Sequence, residues 1–207
     1  MARERLRGAF VDLSPLRLDR DFRWLWFGQV ITGTGNQITR IALPYQVYVL
    51  TNSTLAIAVL TAVQLIPILV FSLGAGSIAD ALDRRRVLIV TQVGLALASI
   101  TLAGLSLLAS PPLIAILALA FIAGSIGAID APTRASATPR LVPPERLPAA
   151  IALGQVNYQV QSIVGPAVGG VLLATIGVAG AYLADALSFG AKLRASWSLT
   201  GHGPAGA

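Results

Sequence analysis

The chain has 207 residues, 55% of them hydrophobic and only 12% charged, with a net charge of +6. A soluble domain carries about 25% charged residues, so a mean hydropathy of +0.75 points to membrane spans instead of a water-soluble core. Cysteine is absent and histidine occurs once, at His202, which excludes a disulfide framework and any thiolate or histidine-rich metal centre, and no cofactor is expected.

The first 23 residues mix charged and polar side chains and lack the apolar run of a cleavable signal, so they read as a cytoplasmic segment. Six apolar segments follow, predicted as transmembrane helices over 24–50, 55–79, 87–108, 112–129, 147–176 and 178–191. The breaks between them are legible. Thr51-Asn52-Ser53-Thr54 is a polar turn, Asp80 closes the second span, and Ser110-Pro111-Pro112 stops the third. A polar connection from Asp130 to Arg146 contains four prolines. The sixth span meets Lys192 and Arg194 early, and 192–207 reads as a polar, disordered tail, as in a truncated or half-size product.

Arginine and lysine fall in alternate connections. They occupy the N-terminal segment, the loop with Arg84, Arg85 and Arg86, the loop with Arg134, Arg140 and Arg146, and the segment after the sixth span. The positive-inside rule then puts those connections and both termini in the cytoplasm of a multi-pass plasma-membrane protein. The basic pI near 10.8 is accounted for by this topology, and a nucleic-acid partner is not implied.

Polar residues inside the spans are the candidates for function, because hydrocarbon makes them costly. The first span carries Gln29, Thr32, Asn36 and Arg40, spaced 3, 4 and 4 apart and so on one helical stripe. Two readings stand: helix–helix contact with Arg40 reaching an interface, or the wall of an aqueous cavity with a central cation. Gln64 beside Pro67 extends the idea to the second span, and Gln155, Tyr158, Gln159 and Ser162 repeat it in the fifth. That span continues as Gly165-Pro166 and Gly169-Gly170, small residues for close helix approach with a proline for a bend. Asp185 in the sixth span is a second buried-charge candidate, either a proton site or a partner for Arg40. At the cytoplasmic mouth, Gly76 lies four residues before Asp80, on one helix face with it, ahead of Arg84, Arg85 and Arg86. Asp130 can pair with an arginine there to form a lock. An intramembrane enzyme is disfavoured, since no Ser/His, paired-aspartate or metal-ligand arrangement lies in the spans. A channel lacks a filter, and a membrane scaffold would require neither the polar stripe nor the Asp80 loop.

Gly76, Asp80 and the arginine cluster resemble the major facilitator superfamily signature between helices 2 and 3. Gly165-Pro166 with Gly169-Gly170 resembles the helix 5 motif of its antiporters. Asp21-Phe22-Arg23-Trp24-Leu25-Trp26 and Ala131-Pro132-Thr133-Arg134 look like the branch that contains enterobactin and macrolide exporters. The resemblance covers roughly residues 13–190. It departs from the pattern at Ala81, Asp83 and Gln161, and at Asn36, where relatives often carry an acid. It implies an all-α membrane fold in which six helices form one half, as 3+3 inverted repeats, around a central cavity. It further implies proton-driven export of a small amphipathic compound by alternating access. The implied cavity set is Gln29, Thr32, Asn36, Arg40, Gln64, Gln155, Tyr158 and Gln159, and the implied gate is Gly76, Asp80, Arg84, Arg85, Arg86, Asp130 and Arg134. A second half or a second copy is needed to enclose the path.

Overall fold

The computed structural model describes residues 12–72, 84–136 and 138–197, and these are helical with no strand among them. The elements are α1 (Ser14–Leu18), α2 (Arg20–Thr51), α3 (Thr54–Ser72), α4 (Arg84–Ser106), α5 (Leu113–Ala135), α6 (Thr138–Leu141), a 3-10 turn (Pro144–Arg146) and α7 (Leu147–Trp197). The predicted polar turn after the first span ends α2 by a clear device. Asn52 adopts the left-handed conformation at φ 49°, and its N–H bonds the Tyr48 carbonyl at 2.7 Å. Asparagine tolerates that conformation better than most side chains. Pro112, extended at φ −67° and ψ 121°, starts α5 where the proline pair was expected to break the chain.

Three boundaries differ from expectation, the simplest being that α7 stays helical to Trp197, past residue 192 where a disordered tail was expected. The fourth span was predicted to end at 129, with a polar connection from Asp130. Instead α5 runs on to Ala135, because Asp130 and Thr133 are buried against neighbouring helices and their side chains are bonded. The predicted fifth and sixth spans form one helical run, α7, broken at Gly177 (φ 72°, ψ −174°), a backbone region open essentially to glycine alone. Along the first arm of α7, Gln161 meets Gln29, Gly165 meets Gln37 and Gly169 meets Ile38. Along the second arm, Tyr182 meets Gln46, Asp185 meets Thr39 and Ser188 meets Gly35. The two arms contact α2 in opposite directions, so the chain reverses at Gly177.

Six membrane spans were expected. Among the described residues, four helices are long and apolar enough to cross a membrane: Thr54–Phe71, Arg86–Ser106, Leu113–Ala135 and Pro144–Gly190, the last of 47 residues. The first predicted span, in α2, is not among them, because its middle is a run of amides, hydroxyls and glycines ending at Arg40. The bundle core gathers Ala42 and Val47 of α2, Leu60 of α3, Leu102 of α4, Ile116 of α5 and Tyr182 of α7. Its outer surface is apolar, as at Leu65, Ile66 and Leu69 of α3. In lipid no hydrophobic drive brings helices together, so close packing and interhelical hydrogen bonds must do so. Those contacts converge on α2, α4 and α7.

Candidate functional site

α2 and the first arm of α7 are joined by a ladder of side chain to backbone bonds. Trp26 Nε1 donates to the Leu153 carbonyl at 2.9 Å, Asn157 Nδ2 to the Trp26 carbonyl at 3.0 Å, and Gln161 Nε2 to the Gln29 carbonyl at 3.0 Å. Gln161 also bonds Asn157 Oδ1. The three bonds to backbone use the second lone pair of a helix carbonyl, so neither helix is disrupted. Below the ladder, Arg146 Nη1 reaches both oxygens of Asp19 at 3.1 Å, tying the starts of the two helices together over a cluster of Phe22, Val142, Ala150 and Leu153. Above it, the helices touch at glycines. A Cβ on Gly165 would overlap Gln37 Cβ and stand 3.0 Å from Gln37 Cγ, while one on Gly169 would stand 3.2 Å from Ile38 Cα.

The second arm of α7 brings Asp185 to the middle of the bundle, 1% exposed. Its Oδ2 accepts from Thr39 Oγ1 of α2 and Ser99 Oγ of α4, both at 2.7 Å, and its Oδ1 has no hydrogen-bond partner. The expected alternative of an Arg40–Asp185 pair is therefore replaced. Arg40 is exposed and bonds Gln37 Oε1 at 3.2 Å, and hydroxyls hold Asp185. Gly35 makes the approach possible, since a Cβ there would lie 2.6 Å from Asp185 Oδ1.

A second buried carboxylate sits where α4 and α5 meet. Asp130 Oδ1 accepts from Thr91 Oγ1 at 2.9 Å and Gln92 Nε2 at 2.8 Å, and Oδ2 is ion-paired with Arg134 one turn along α5. The expected partner for Asp130 was an arginine of the loop before α4; among the described residues the pair is internal to α5. Arg86, at the start of α4, is exposed and engaged elsewhere. Gly76 and Asp80, and the side chains of Arg84 and Arg85, lie outside the described residues.

The expected cavity residues divide by exposure. Thr32 is buried with its hydroxyl on the Gly28 carbonyl at 2.8 Å; Gln29, Asn36 and Gln64 are half-buried; Arg40, Gln155, Tyr158 and Gln159 are exposed. Gly165 and Gly169 face α2, whereas a Cβ on Gly170 would meet nothing within 4 Å, and Pro166 is half-buried. Sequence reasoning chose the stripe Gln155, Tyr158, Gln159 and Ser162 on α7. The stripe that meets α2 is the adjacent one, Leu153, Asn157, Gln161, Gly165 and Gly169. Its signal was present: two amides and two glycines at uniform spacings of four. Thr39, Ser99, Thr91 and Gln92 were missed because single hydroxyls and amides in a helix carry no pattern.

Residues 11–205 match the family described as transmembrane secretion effector. The chain belongs to that family. Its members are major facilitator transporters and not enzymes, and the chain is a multi-pass membrane protein. It is 30% identical over 172 residues to the enterobactin exporter EntS of Citrobacter koseri, and 30% and 29% identical to those of Shigella boydii serotype 18 and Escherichia coli O127:H6. The matched region is 83% of this chain and 41% of each relative, so the chain spans well under two thirds of their length. No solved structure matches it.

Proposed function

We propose that this chain forms one half of an exporter of small amphipathic compounds, with siderophores such as enterobactin the leading substrate class. Six crossings arranged as 3+3 inverted repeats, with both termini in the cytoplasm of the inner membrane, complete the reading. In it, α2 and the two arms of α7 supply three of the crossings. Gln29, Thr32, Asn36, Arg40, Gln64, Gln155, Tyr158 and Gln159 contact substrate, and the Asp80 loop with Asp130 and Arg134 closes the cytoplasmic mouth. Alternating access is driven by protons, and a second half or second copy encloses the path.

The observation that carries this reading is the exposure of Arg40, Gln155 and Gln159 on helices that otherwise expose many large apolar side chains. An arginine facing lipid in the middle of a helix is costly, by about 2.5–3.5 kcal/mol on insertion scales and more in simulations. A polar face on a lone bundle therefore calls for an aqueous cavity closed by another bundle. The test is secretion of enterobactin from cells lacking their own exporter, with the chain expressed alongside a complementary second half. Secretion should rise, Arg40→Ala should remove most of the gain, and Arg140→Ala in the cytoplasmic loop should leave it. Equal effects of the two substitutions, with both proteins inserted, would refute the cavity assignment.

A further inference from the structure

Asp185 presents a hydrogen-bond account that an ionised carboxylate does not close. A carboxylate is acceptor-only, with about four lone-pair sites. Here both donors, Thr39 and Ser99, fall on Oδ2, and Oδ1 is buried without a donor. No cation compensates among the described residues. On α2, Arg40 follows Thr39 but is exposed and bonded to Gln37, while Arg20, Asp21 and Arg23 lie at the far N-terminal end. On α4 the charges are confined to Arg84, Arg85 and Arg86, the nearest about 20 Å along the helix from Ser99. On the first arm of α7 the sole titratable side chain is Tyr158, which is exposed. On the second arm Tyr182 donates to Gln46, and Lys192 and Arg194 come at least about 10 Å further along the helix.

A neutral carboxyl fits these contacts better, because it leaves no uncompensated charge in the bundle. Oδ2, as the carbonyl oxygen, accepts both hydroxyls, and Oδ1 carries the hydrogen. A hydroxyl lies nearby, although no hydrogen bond joins it to Oδ1. Ser188 Oγ donates to the Asp185 backbone carbonyl at 2.6 Å, which leaves its own lone pairs free. Ser188 Oγ and Asp185 Oδ1 converge on one point above Gly35, where a Cβ would overlap the serine oxygen and stand 2.6 Å from the carboxyl oxygen.

We propose that Asp185 is the proton-carrying carboxyl of this bundle, holding the proton on Oδ1, the oxygen without a donor, in the conformation described. This rests on the proton-driven reading above and names its site. The site is assembled from three chain passages: Gly35 and Thr39 on α2, Ser99 on α4, and Asp185 with Ser188 on α7. Separation of α2 from α7 withdraws the Thr39 donor and lifts Gly35 away, admitting water. The proton then leaves to water, and the carboxylate left behind is hydrated until it is reprotonated. No other bond changes.

The test is infrared difference spectroscopy of the full chain in lipid nanodiscs, which needs no transport. At neutral pH the C=O stretch of a protonated carboxylic acid should be present and should shift with 13C-labelled aspartate. It should be lost in Asp185→Asn and retained in Asp130→Asn. Thr39→Val and Ser99→Ala each remove one donor to the C=O and should move the band to higher frequency, which keeps the assignment testable if Asp185→Asn does not fold. Absence of a protonated-aspartate band, or a band unmoved by Thr39→Val and Ser99→Ala, would overturn the proposal. So would carboxylate bands that move only with sodium. The exporter reading stands or falls separately, on enterobactin secretion.

Discussion

Gly165 and Gly170 lie in the same turn-and-a-half of α7, yet their replacement by alanine should have opposite consequences. Both substitutions remove glycine from a helix interior and gain about 0.5–1 kcal/mol from reduced backbone freedom. At Gly170 the new methyl meets nothing within 4 Å, so that gain should appear whole. At Gly165 the methyl overlaps Gln37 Cβ, the stem of a side chain fixed to α2, and stands 3.4 Å from the Thr34 carbonyl. A normal carbon–carbon contact is about 3.5–4.0 Å, so the helices must part by more than about 1 Å. Overpacking of that kind costs about 1–3 kcal/mol. The same movement stretches the Asn157–Trp26 and Gln161–Gln29 bonds, both 3.0 Å, beyond hydrogen-bond length, adding about 0.6 kcal/mol for each bond between membrane helices. The difference between the two variants cancels the shared backbone gain and isolates the packing loss, about 2–4 kcal/mol. SDS titration of the detergent-solubilised protein, followed by loss of helical circular dichroism, measures it. Equal midpoints for Gly165→Ala and Gly170→Ala would refute the close approach of α2 and α7.

Asn157→Ala should lower the same midpoint by about 0.5–1.5 kcal/mol through loss of its bond to the Trp26 carbonyl, and an unchanged midpoint would remove the ladder from the account. Gly177→Ala should cost about 1–3 kcal/mol purely as backbone strain, because a methyl there meets nothing within 4 Å; a neutral result would argue against the reversal at that residue. Asp130→Asn should destabilise by about 3 kcal/mol by leaving a mostly buried cation unpaired, and adding Arg134→Gln should recover part of that loss. Additive losses in the double variant would show that the two side chains do not act as a pair.

Composition determined the solvent of this protein. Too few charges and long apolar runs leave a bilayer as the place where α3, α4, α5 and α7 can reside, and the turn at Asn52 and the proline stop before α5 were local enough to read directly. The motifs around Gly165 and Arg134 also marked the family, because they are fixed by residue type and spacing. Which faces meet was another matter. On α7 two neighbouring stripes both carry amides, and helical periodicity cannot say which one turns toward α2; that depends on where the crossing is tightest, at Gly165 and Gly169. Nor does the sequence show that Asp185 is held by Thr39 and Ser99 and not by Arg40, since those partners lie 146 and 86 residues away. The helix at Asp130 continues for a related reason: its carboxylate is satisfied by Thr91, Gln92 and Arg134, so a residue that reads as loop is stable inside a helix. A buried polar group is stable only where its hydrogen bonds are completed, and the partners that complete them are chosen by tertiary packing.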